Sequence, residues 1–201
     1  MAGLRERKKA LTRQHIVDTA ARLFGEHGYD QVSVVDVARA AEVSDQTVYN
    51  YFPAKQDLVL DRAEEFSERY PRMVRERPAG MSPAGALREI AEADLERHRR
   101  VTPEQTRGEL PAICASSPTI RRYVLEMRDN HAETVAEAIT ETCPDVHPAV
   151  ARVHAAAIMK ALQLMTDRIG QGVLAGTPHD VVVDELTPVV EAMFDDLDRH
   201  F

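Results

Sequence analysis

Between Ser33 and Lys55 the chain reads SVVDVARAAEVSDQTVYNYFPAK, and Gln46, Thr47, Tyr49, Asn50 and Tyr51 crowd into one short stretch of it. Amides, hydroxyls and phenols at this density are chemistry for contacting a polar surface. Gln and Asn can pair bidentately with an adenine edge, and Thr can offer its methyl to thymine. Tyr and Thr hydroxyls can reach phosphate, which positions a protein without reading sequence. A protein core has no use for so many hydrogen-bonding tips on one short helix, whereas a DNA groove does. Lys55 follows Pro53 and is expected in the first turn of the next helix. An ammonium there opposes the helix dipole unless an anion such as a phosphate is near.

The elements that must hold these groups can be read from the same stretch. Ser33 and Asp36 have the spacing of a capping box, and Val34, Val37, Ala38 and Ala41 follow at helical spacing. A break at Glu42-Val43 precedes Ser44, a natural N-cap for a second helix over Asp45 to Phe52. Two short helices joined by a tight turn fit a helix-turn-helix, whose second helix enters the major groove. The candidate DNA contacts are Ser33, Ser44, Gln46, Thr47, Tyr49, Asn50, Tyr51 and Lys55. Upstream, residues 13–27 form a helix with Ile16, Ala20, Leu23 and Phe24 as its stripe and Gly28 as its stop. This helix packs on the other two and completes a three-helix head.

The run Thr47 to Leu58, T-V-Y-N-Y-F-P-A-K-Q-D-L, resembles the signature of TetR-type (tetracycline-repressor-like) transcriptional regulators. The helix Ile16 to Phe24 followed by Gly28-Tyr29 matches that family's first helix and its stop. The resemblance covers residues from about 12 to 60 as an ordered set of spaced features. It implies an all-α homodimer that joins through its last helices, binds operator DNA and answers to a small molecule. Two positions depart from the family's pattern. Glu42 stands where Gly is frequent, so the turn is made without that residue's freedom at positive φ. Asp45 stands where many relatives have a small or basic residue; it would repel phosphate but could accept from a cytosine amine.

The net charge of −8 over 201 residues argues against DNA until its distribution is considered. Residues 1–60 hold eight Lys/Arg and eight Asp/Glu, so the whole excess of acid lies in residues 61–201. Within the first 13 residues Arg5, Arg7, Lys8, Lys9 and Arg13 face only Glu6, which suits a phosphate-contacting arm on an acidic body. With 44% hydrophobic and 29% charged residues the composition is that of a globular protein. There is no secretory signal and no apolar run long enough for a membrane span, so a cytoplasmic location is expected. Cys114 and Cys143 are too few for a disulfide framework.

Behind the head, helices are expected over residues 55–77, 84–100, 104–115 (disturbed by Pro111), 118–142, 149–174 and 178–201. No alternating strand pattern of useful length appears. The fold class is therefore all-α, with about nine helices, a DNA-binding domain at 1–55 and a ligand-binding and dimerisation domain at 56–201. Thr177 to Asp180 has the form of another capping box, and Pro188 should kink or interrupt the last helix. Both final helices are apolar around more than one face, so they need cover on two sides. A second copy of the same pair would give a two-fold, four-helix interface.

Asp94 and His98, four apart on one helix, and His131 near Tyr123 and Met127 could be polar anchors in an apolar ligand pocket. The expected effector pocket comprises Phe66, Tyr70, Asp94, Leu95, His98, Ile113, Tyr123, Met127, His131, Met159 and Gln163. Cys143, Asp145 and His147 fall at a Pro-rich helix end that a turn explains better than a metal site. Gly170, Gly172 and Gly176 follow a helix and lack a phosphate-binding Lys, so they read as a fraying terminus. No G-x-S-x-G or H-E-x-x-H is present, no metal or cofactor is expected, and nothing makes a case for catalysis. The reading that follows is a ligand-released regulator, most simply a repressor, on a palindromic operator. Its alternative is a DNA-binding dimer without a small-molecule switch, tied to a protein partner or to DNA architecture.

Overall fold

The computed structural model describes residues 2–200, without the side chains of Ala2, Leu4, Arg5 and residues 62–65. Ten α-helices follow one another among the described residues: α1 (Ala2–His27), α2 (Val34–Ala40), α3 (Asp45–Tyr51), α4 (Asp57–Arg75), α5 (Pro83–Arg99), α6 (Pro103–Thr106), α7 (Leu110–Ser116), α8 (Pro118–Thr142), α9 (Pro148–Ala175) and α10 (His179–Arg199). A single 3-10 turn, Tyr29–Gln31, separates α1 from α2. The chain is all-α, as its periodicity predicts.

Several boundaries differ from expectation for identifiable reasons. Helix α1 begins at Ala2, well before residue 13, because no Pro interrupts Ala2–His27 and its Arg, Lys, Leu and Ala favour a helix. The segment 104–115 is two helices. Pro111 sits in the first turn of α7, where its missing N–H costs nothing. Helix α10 runs on through Pro188 without ending there. Its expected capping box is not formed: Pro178 is the N-cap and no side chain caps the helix. Gly170 and Gly172 lie inside α9 and do not fray. A Cβ on Gly170 would come within 2.1 Å of the Pro111 carbonyl oxygen, so α7 and α9 approach closely only because that side chain is absent.

The head core is built from Ile16, Ala20, Phe24, Val37, Val48 and Phe52, all at 3% exposure or less. Burial of each large side chain contributes roughly 1.5–3 kcal/mol. This cluster does not stop at the head. Ile113 and Cys114 of α7 and Ile120 and Val124 of α8 belong to it. The contact is tight at one point, where a Cβ on Gly108 would fall 1.7 Å from the Ala21 carbonyl oxygen of α1. Ser117 ties the two parts again by donating to the Asp30 carboxylate at 3.2 Å. The second cluster fills the body: α8 packs on α4 and α9, and α10 packs on α5 and α9.

Candidate nucleic-acid interface and body cavity

The two short helices of the head are defined by their first turns. Ser33 Oγ accepts from the Asp36 amide at 3.1 Å while the Ser33 amide donates to the Asp36 carboxylate at 3.0 Å, closing the box. The Ser33 hydroxyl, donating to the Asp36 carboxylate at 2.6 Å, and then the Ser33 amide hold the Asp36 carboxyl below the usual carboxylate range. Ser44 caps α3 in the same way, its Oγ accepting from the Thr47 amide at 3.0 Å. Between the helices Glu42 takes φ 53°, in the left-handed region, so a non-Gly residue does adopt the conformation the turn demands. The Val43 amide then donates to Ala38 O and the Glu42 amide to Arg39 O, satisfying carbonyls at the end of α2. Holding Glu42 there costs about 1 kcal/mol relative to Gly.

Only Val48 of α3 is buried; Asp45, Gln46, Tyr49 and Asn50 are exposed, and Thr47 and Tyr51 partly so. The polar groups hold one another: Gln46 Nε2 donates to Asn50 Oδ1 at 3.2 Å, and Thr47 Oγ1 lies 2.7 Å from Ser44 Oγ. Tyr49 is 45% exposed, whereas Tyr51 leans on Phe52 with ring centroids 6.4 Å apart. Ser33 and Ser44 are spent as caps, so any contact they make with DNA is shared with that role.

Lys55 is a correction. It precedes Gln56, the N-cap of α4, so it is not in the helix's first turn. Its Nζ donates to the Tyr29 carbonyl at 2.5 Å and stands 3.9 Å from the centre of the Tyr29 ring. Burial lowers its pKa against the pull of Asp30, and burial pushes the Tyr29 phenol up to about 12. An ammonium has three donors, so two remain for a phosphate. Arg13, counted with the basic arm, is likewise engaged: it donates to Tyr51 O at 3.1 Å, pairs with Asp61 and covers the Phe52 ring. Arg7, Lys8 and Lys9 are exposed on the first turns of α1, while Arg5 lies outside the described side chains.

A cavity of about 1220 Å³ opens in the body, walled by α4, α5, α6, α7, α8 and α9 and closed on the head side by α1. Phe66, Tyr70, Asp94, Met127 and His131 line it. Phe66 stacks on Tyr70 at 5.1 Å, and the His131 ring meets Tyr70 edge-on at 5.3 Å.

The other six expected pocket residues are placed elsewhere. His98 is buried behind the wall, its Nδ1 donating to Asp94 O at 2.8 Å, and is packed 5.4 Å from the His179 ring. Leu95 and Met159 belong to the body core, and Ile113 and Tyr123 to the cluster shared with the head. Gln163 is buried and donates to Asp167 at 2.8 Å. Helical spacing marks the inward side of each helix but does not separate the part facing a void from the part facing another helix.

Sequence reasoning also missed Arg128 and Thr166, which line the cavity, with Arg128 Nη2 donating to Thr166 Oγ1 at 3.1 Å. One Arg among 21 carries no mark in the sequence.

The fold and the head together define a helix-turn-helix on a cavity-bearing helical body. Residues 16–61 match the family described as bacterial regulatory proteins, tetR family. The head is thus similar to that of TetR-family transcriptional regulators. It is 33% identical over 97 residues to the HTH-type transcriptional regulator TcmR of Streptomyces glaucescens, a match covering 48% of this chain and 43% of that protein. It is 40% identical over 58 residues to AcrR of Shigella flexneri, 29% of this chain and 27% of that one. The matches thus span less than half the length of these relatives. Whole-chain similarity is one of fold. FadR of Bacillus subtilis, solved in complex with stearoyl-CoA, superposes with TM-score 0.59 at 18% identity over 92% of this chain and 97% of that one. NalD of Pseudomonas aeruginosa, the secondary repressor of the MexAB-OprM efflux pump, gives 0.58 at 20% identity over 97% and 100%. Among the described residues no helix is long and apolar enough to cross a membrane.

Proposed function

We propose that the chain is a ligand-responsive repressor that binds a palindromic operator as a homodimer and is released when a small molecule fills the body cavity. The observation that carries this reading is the shared wall: Gln14, Val17, Ala21 and Gly25 of α1 close a cavity otherwise built by the body. A molecule that fills this space pushes on the helix that supports α2 and α3. Differential affinity for the two head positions then shifts the equilibrium.

The two-copy state is supported by what α9 and α10 leave uncovered. Val150, Val153, Leu164, Leu174, Val181 and Val189 are 43% to 71% exposed on these two helices. Apolar surface so concentrated calls for a partner, and a second α9–α10 pair gives a closed two-fold bundle. Paired heads then read half-sites about 34–36 Å apart. In this reading Gln46, Thr47, Tyr49 and Asn50 face the groove, while Lys55, Tyr51 and the caps at Ser33 and Ser44 meet phosphate.

Analytical ultracentrifugation of the purified chain with and without a selected duplex tests this. Two chains per duplex bearing an inverted repeat are expected. One chain per duplex contradicts the reading.

A further inference from the structure

The cavity wall contains a positive charge that meets no counter-charge among the described residues. Arg128, on α8, lines the cavity, and its Nε and Nη1 are buried without a hydrogen-bond partner, while Nη2 is engaged by Thr166. Among the described residues no carboxylate lies within ion-pair distance of it. Asp94, which also lines the cavity, is turned to Arg97: its Oδ1 accepts from Arg97 Nε at 3.2 Å, and Arg97 pairs further with Glu109 at 2.9 Å. Beside Arg128, His131 Nδ1 is equally buried and unpartnered. Burial and the Arg128 charge hold the His131 pKa down to about 4, so this ring is neutral and can donate when Nδ1 carries its proton. Burial raises the pKa of the neighbouring Tyr70 phenol, against the pull of Arg128, so it too is neutral and supplies no counter-charge. A buried guanidinium does not escape its cost by losing a proton, and left unpaired it destabilises the fold.

Around these groups the wall is apolar: Leu58, Phe66, Ile90, Met127, Leu162 and Met165 line the same space. We propose that the cavity takes an amphipathic carboxylic acid, with its carboxylate on Arg128 and His131 and its apolar body against this wall. A single guanidinium matches one negative charge. This assignment rests on the cavity being the effector site and deepens that reading by naming the ligand's chemistry. Arg128 is a binding residue whose unspent N–H groups wait for the ligand.

Isothermal titration of the full-length protein with decanoate and with decan-1-ol, a neutral probe of the same length, tests the proposal. Decanoate should bind at least about tenfold more tightly. Arg128→Met should weaken decanoate roughly 10- to 100-fold, the worth of a charge-assisted hydrogen bond, and leave decan-1-ol nearly unchanged. Its melting temperature without ligand should equal or exceed the parent's, because removal of an unpaired buried charge relieves a cost. Arg128→Lys should keep part of the preference for the acid.

Equal affinity for the two probes, decanoate binding that survives Arg128→Met, or a melting temperature lowered by several degrees in that variant would each overturn the assignment. Failure of both probes to bind would overturn it too. Operator binding by the ligand-free protein is judged separately and stands or falls without it.

Discussion

Helix α3 and the cavity wall are both rich in polar groups, yet they treat them in opposite ways. On α3 the amides and hydroxyls are exposed and answer one another, Gln46 with Asn50 and Ser44 with Thr47. In the cavity, Arg128 and His131 are buried with atoms left unanswered. Water satisfies the first set at no cost, so only residue type and placement point to DNA. The second set is buried, so the missing partner itself is the signal. An outward-facing site is recognised by what it displays, and an inward-facing one by what it lacks.

Substitution at the joint between the two regions should have the largest effect. Gly108→Ala places a Cβ against the Ala21 carbonyl oxygen, and backbone must move to admit it. A loss of about 3 kcal/mol or more in urea unfolding is expected, with operator binding and cavity binding impaired together. If only one of them suffers, head and cavity are not joined there. Tyr49→Ala should act on one side of the comparison alone, weakening operator binding roughly 10- to 100-fold without changing the dimer or decanoate titration.

Acid should act on the other side. His131 has its folded pKa lowered to about 4, so above pH about 6.5 it is neutral in both states and contributes nothing to pH dependence. As pH falls from there toward 4 the unfolded chain takes up the proton first, and stability drops by at most about 1.4 kcal/mol per pH unit for this group. His98 and His154, also lowered by burial, add to the same slope. His131→Phe should flatten the fall in melting temperature between pH 6.5 and 4. An unchanged slope would take His131 out of it.

These outcomes bear on how much was legible in the chain itself. The head could be read because its signals are local: Ser33 with Asp36, Ser44 with Thr47, and Gly28 as a stop each act within a few residues. Even there Lys55 was misplaced, because its partner is the Tyr29 carbonyl, 26 positions away. The cavity could be read only in part. Phe66, Tyr70, Asp94, Met127 and His131 reach it, but His98 and Gln163 are consumed by His179's neighbourhood and by Asp167. Which inward-facing residue meets a void depends on several helices at once, and no local pattern records that. Arg128 stayed hidden for the same reason.

Two smaller effects sharpen the account of the head. Lys55→Met should cost about 1 kcal/mol of stability through its lost bond to Tyr29. If the two remaining donors also serve a phosphate, it should make the salt dependence of operator binding shallower by about one. Stability loss with an unchanged salt slope would leave Lys55 a purely internal contact. Glu42→Gly should raise stability by about 1 kcal/mol in the same melts, since the turn holds φ 53° there; no gain would mean that the turn has relaxed around Glu42.

The most direct test of the central claim is selection of random duplexes by the purified full-length chain, followed by footprinting of the recovered sequences. Two protected half-sites in inverted repeat, about one helical turn apart, are expected, with protection lost in Tyr49→Ala. Recovery of no common sequence, or of a single unrepeated site protected as well by the Tyr49→Ala chain, would contradict the assignment of α3 as the element that reads DNA.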